Sequence, residues 1–96
     1  MSIEEKFLKI IKHYGVEKQL KKLSEEVYEL QESILLDEGD NASLNHICEE
    51  LADVEVLLKQ IIEYYGINYI DDITPIMIQK IYRQLERIDE DDRSME

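Results

Sequence analysis

Between Ile47 and Tyr65 the apolar residues Ile47, Leu51, Val54, Leu57, Leu58, Ile61 and Tyr65 recur every three or four positions. That is the repeat of one face of an α-helix, and the stretch contains no Gly or Pro to interrupt it. One residue breaks the pattern. At an advance of about 100° per residue, Glu50 projects between Leu57 and Ile61, inside the stripe, with Asp53 at its rim. A carboxylate placed among apolar side chains is unfavourable unless it neutralises, meets a cation or binds a metal.

Three further segments carry the same periodicity. Ile3, Phe7, Ile10, Ile11 and Tyr14 predict a first helix that stops at Gly15, a residue suited to a helix C-terminus. Val16, Leu20, Leu23, Val27, Leu30 and Ile34 predict a second, from Val16 to about Leu36. Asp37 to Asn41 reads as a turn, short enough to make its flanking helices antiparallel neighbours. The third helix is expected from about Ser43, a good N-cap, to just before Gly66. After a second turn over Asn68 to Asp72, Thr74-Pro75 supplies a cap and a first-turn proline for a fourth helix. Its apolar face is Met77, Ile78, Ile81, Leu85 and Ile88.

One Pro and three Gly leave little room for sheet. The expectation is an all-α fold: a four-helix bundle-like subunit in one domain over residues 1–88, followed by an acidic flexible tail at 89–96. A 96-residue chain is near the lower end of what buries an adequate core alone. Apolar residues partly off the stripes, Tyr28, Leu35, Val56 and Ile62, add to the reasons to expect a homodimer or homotetramer.

Charge narrows the partners. With 23 acidic against 11 basic residues the formal charge is -12, which disfavours a nucleic-acid polymer, since phosphate backbones are bound through Lys and Arg. The single Cys48 cannot form an internal disulfide, and no leader or long uncharged apolar run is present, so a cytoplasmic protein without membrane attachment is expected. His13 falls in the last turn of the first helix, where a histidine meets terminal carbonyls and the helix dipole. His46, one turn before Glu50, reads as an exposed first-turn histidine within reach of a ligand.

The second helix carries its own acids in Glu25-Glu26-Val27-Tyr28-Glu29. Glu26 and Glu29 point one way, as do Glu50 and Asp53, so antiparallel helices would bring two carboxylate pairs together, a set able to hold magnesium. The competing reading is a pair of solvated acidic faces, with Lys18, Lys21 and Lys22 paired to Glu25, Glu26 and Glu29 at helical spacings. Lys80, Arg83 and Arg87 align on the fourth helix, either as a basic stripe that offsets an acidic protein or as phosphate contacts.

Lys22-Leu23-Ser24-Glu25-Glu26-Val27-Tyr28-Glu29-Leu30, then Glu50-Leu51-Ala52-Asp53 after a linker, resembles the EExxE and ExxD motifs of the MazG-like all-alpha nucleoside triphosphate pyrophosphohydrolases. The resemblance spans about Val16 to Tyr65. It implies that Glu26, Glu29, Glu50 and Asp53 hold magnesium, with manganese as the alternative ion, in an oligomeric helical bundle. It also implies cleavage of a nucleoside triphosphate to a monophosphate and pyrophosphate. Relatives often carry an Asn-Lys pair and two adjacent arginines on the fourth helix, whereas Gln79-Lys80-Ile81-Tyr82-Arg83-Gln84 keeps the lysine and one arginine. Lys80 and Arg83 are the matching candidates for phosphate. Glu25 or Glu29, if not fully used in coordination, is the candidate to take a proton from the attacking water. Two other classes compete. A di-iron bundle needs Glu-x-x-His ligands, and neither histidine has Glu three residues before it. A non-catalytic helical oligomerisation or interaction module would show the same amphipathic helices.

Overall fold

The computed structural model describes residues 1–35 and 43–95. The chain is all-α: α1 (Ile3–Tyr14), α2 (Val16–Leu35), α3 (Ser43–Tyr64), a π-helical turn (Tyr69–Ile73) and α4 (Thr74–Ser94), with no strand among the described residues. The turn expected at Asp37–Asn41 lies outside them. None of the helices is long and apolar enough to cross a membrane. The sequence reads as one domain to residue 88, whereas the chain divides into two compact units, Met1–Gly66 and Ile67–Glu96.

In the first unit α1 is opened by Ser2, whose Oγ accepts from the Glu5 N–H at 3.1 Å. Glu4 and Glu5 in the first turn and Lys12 and His13 in the last complement the helix dipole. Gly15 ends the helix. Its N–H donates to the Ile11 carbonyl at 2.8 Å while its backbone takes φ 92°, ψ 148°, a conformation reserved almost wholly for glycine. This lets α2 start at the next residue in a new direction.

Helix α3 packs against both α1 and α2. Gln19 of α2 meets Gln60 of α3, and seven residues further along α2 Glu26 meets Glu50, ten residues earlier in α3. The two helices therefore run antiparallel, as the spacing predicts. Ile11 is fully buried and Leu57 is 3% exposed, each worth about 1.5–3 kcal/mol of burial. Phe7, Leu23, Val27, Leu30, Val54 and Ile61 are half-buried around them.

The buried face of α3 is rotated from the one its apolar stripe predicts. Leu51 and Leu58 are 45% and 44% exposed, and Tyr65 is also exposed. Leu57 of the stripe is buried, as is Glu50, which projects into it, but so is Gln60, which lies outside it. Periodicity ranks positions by side-chain type, but the buried line is set by what stands across from it. Here that is Gln19 and the acids of α2.

The second unit opens with reciprocal capping: Asn68 Oδ1 accepts from the Asp71 N–H at 3.0 Å, and Asp72 Oδ2 accepts from the Asn68 N–H at 2.8 Å. The residues expected to form a simple turn thus wind into the π-helical turn. Thr74 does not cap α4 as predicted. Its hydroxyl donates back to the Tyr69 carbonyl at 3.2 Å, and the N-cap position is Ile73, with no side-chain capping bond. Helix α4 continues through Asp89 to Ser94, so helical backbone extends into the segment read as a tail. Ile78, Ile81, Tyr82 and Leu85 share one exposed apolar face of it.

Candidate functional site

The two acidic motifs meet between α2 and α3. One carboxylate oxygen from each of Glu26, Glu29 and Glu50 lies within 4.8 Å of the other two. Glu29 is exposed, Glu26 half-buried and Glu50 only 8% exposed, so the cluster passes from solvent into the wall of the unit. Oε2 of Glu26 and Oε2 of Glu50 are both shielded from solvent and find no hydrogen-bond partner among the described residues. Unpaired buried carboxylate oxygens are costly.

Electrostatics tell the same story. Burial, foremost, raises the pKa of Glu26 above its ordinary value, and the charge of Glu29 adds to it. The charge of Asp53, a hydrogen bond with the Glu29 side chain and the charge of Glu50 raise it further. Asp53 is thus close enough to act on Glu26, although it is not one of the three mutually close glutamates. Glu25 is exposed and also outside that set.

The lysines do not neutralise the acids in the way the competing reading requires. Lys21 pairs with Glu17 at 3.8 Å, Lys18 lies over the Tyr14 ring at 5.1 Å, and no ion pair to Glu25, Glu26 or Glu29 occurs among the described residues. Lys22 lines a cleft with Glu26 and Asp53. The basic group nearest Glu50 is His46, with Nε2 3.6 Å from Glu50 Oε1 and Nδ1 4.0 Å from Glu49 Oε2.

The cleft beside the acids has a volume of about 280 Å³, and Ile10, Tyr14, Val56, Leu57, Gln19 and Gln60 complete its wall. Sequence reasoning finds none of these as site residues. Lys22, one turn before Glu26, reads in the sequence only as an ion-pair partner of the acids, and Ile10 and Tyr14 come from α1 and carry no motif. Lys80 and Arg83 are exposed on α4, in the second unit. Comparison with protein-family models, curated proteins and solved structures gave no match to this chain.

The donor set suits a hard divalent cation. Magnesium takes carboxylate oxygens and retains waters, and the two orphaned oxygens of Glu26 and Glu50 lack the partner that such an ion supplies. A softer, nitrogen-preferring metal would find only oxygens in the three-glutamate group.

Proposed function

We propose that this protein is a magnesium- or manganese-dependent nucleoside triphosphate pyrophosphohydrolase of the MazG-like kind, releasing a nucleoside monophosphate and pyrophosphate. The observation that carries the reading is the convergence of Glu26, Glu29 and Glu50 within 4.8 Å, with two buried carboxylate oxygens left unpartnered. These three residues and Asp53 hold the metal. The adjoining cleft, at about 280 Å³, is close to the lower end of ligand-binding cavities, roughly 300 Å³.

A bound magnesium would neutralise phosphate charge and lower the pKa of a coordinated water. The chain's own residues do the rest. Water attacks the innermost phosphorus, the bond to the bridging oxygen breaks, and pyrophosphate leaves with both of its phosphates. Glu29, or the exposed Glu25 that precedes Glu26 in the chain, accepts the proton lost by the water. Lys22, lining the cleft next to Glu26, offsets negative charge on the substrate. The resemblance of α4 offers Lys80 and Arg83 as further phosphate-binding candidates. No glycine-rich Walker loop exists in the sequence to bind a terminal phosphate in the alternative manner.

The exposed apolar face of α4 favours self-association, and we assign the functional form to a homodimer or homotetramer. The same face supports a second reading, a non-catalytic interaction module. The deciding experiment incubates the protein with each common ribo- and deoxyribonucleoside triphosphate plus magnesium and identifies the phosphorus products. Monophosphate with pyrophosphate is the expected result. Orthophosphate with diphosphate would point to another mechanism, and no cleavage of any substrate would favour the interaction module.

A further inference from the structure

Gln19 and Gln60 are buried side chains of the first unit for which the reaction just described has no use. They are 4% and 2% exposed, and Gln19 Nε2 donates to Gln60 Oε1 at 2.9 Å across the α2–α3 contact. One mutual hydrogen bond satisfies only part of two amides. Gln19 Oε1, the second N–H of Gln19 and both N–H groups of Gln60 remain. Neither residue is among those whose buried polar atoms are unpartnered. Both residues line the cleft beside the acids.

A pair whose sole task was to fix the register of two helices would need no cleft beside it. This one faces the same cleft as Ile10, Tyr14 and Val56, with Glu26 and Asp53 on the cleft's wall as well. Apolar and aromatic surface, a donor and an acceptor side by side, and acids at hand match the successive parts of a nucleotide: base, base edge and metal-bound phosphates.

We infer that Gln19 and Gln60 form the specificity-determining edge of a nucleoside subsite, hydrogen-bonding the polar edge of the base. This rests on the pyrophosphohydrolase reading and adds to it the residues that choose the substrate. The mutual bond couples the amides: reversing one requires reversing the other, which inverts the order of donor and acceptor offered to the base. Gln60→Glu removes the Gln60 donors and fixes one order. A site built to hydrogen-bond a ligand rejects analogues that cannot complete the bonds, because its own polar groups are then left unpaired.

The test measures kcat/KM for the common ribo- and deoxyribonucleoside triphosphates, and equilibrium binding of the corresponding monophosphates, in the unaltered protein, Gln60→Leu, Gln60→Glu and Gln19→Leu. Thermal melting identifies any variant that fails to fold, and the others then decide. Gln60→Leu and Gln19→Leu should lower both quantities for the preferred base by about tenfold or more and level the ratios between bases. Gln60→Glu should re-rank them. An equal loss for every base, no loss, or no base preference in the unaltered protein would overturn the inference while leaving the hydrolase reading intact. A protein that binds monophosphates with a ranking that Gln60→Leu levels, yet cleaves no triphosphate, would keep the subsite and sink the reaction. Neither cleavage nor binding would overturn both.

Discussion

Glu50 is the most deeply buried acid of the site. It is 8% exposed, one oxygen has no partner, and the glutamates around it add like charge. Glu50→Gln should abolish the thermal stabilisation given by millimolar magnesium or manganese and most turnover, while leaving the metal-free fold intact or firmer. A variant that keeps normal magnesium-dependent activity would remove the central assignment. Glu26 makes a second, independent prediction through pH. Its folded pKa is raised above the ordinary 4.5, so between those two values the folded state holds more proton than the unfolded state. Stability of the metal-free protein should therefore fall as pH rises from about that ordinary value through the raised one. Glu26→Gln should flatten this slope in thermal melts followed by circular dichroism, and an unchanged slope would place the cause elsewhere.

At the scale of elements, the α1–α2 joint depends on one residue. A Cβ on Gly15 would meet no atom within 4 Å, so Gly15→Ala has no clash to contend with. Its cost comes from the backbone, which at φ 92° and ψ 148° is unfavourable for alanine by about 1–3 kcal/mol. Urea denaturation should show that loss. Leu57→Ala, at the buried centre of α3, should cost about 2–5 kcal/mol in the same assay, and a change below 1 kcal/mol would show that the buried face of α3 is misplaced. The helices themselves were largely legible: α1 ends at Gly15, α2 begins at Val16 and α3 stops short of Gly66, as the apolar spacing and the glycines predict. The start of α4 was not. Thr74 looked like a cap, but the Asn68–Asp72 exchange winds the preceding residues into a π-helical turn and carries Thr74 inside. That exchange depends on backbone geometry that composition does not encode.

For the whole molecule, a 96-residue chain with a small core and exposed Ile78, Ile81, Tyr82 and Leu85 on one helix should not remain monomeric. Light scattering at micromolar concentration should give a dimer or tetramer, and Ile81→Asp with Leu85→Asp should lower the mass. A monomer in the unaltered protein would reject the assignment. The sequence by itself determined the all-α class, the α1–α2 boundary at Gly15, the stop of α3 before Gly66 and the carboxylates that share a helix face, because these are local: they follow from side-chain spacing along one helix and from where glycine falls. Only the tertiary structure decided that, of the four carboxylates expected to meet, Glu26, Glu29 and Glu50 lie mutually close while Asp53 stays outside that group. It alone turned Gln60 inward and left Leu51 and Leu58 out, and it brought Tyr14 and Ile10 of α1 to the cleft. Those outcomes depend on which groups stand opposite one another across a helix contact. The pattern along a single helix carries no record of that.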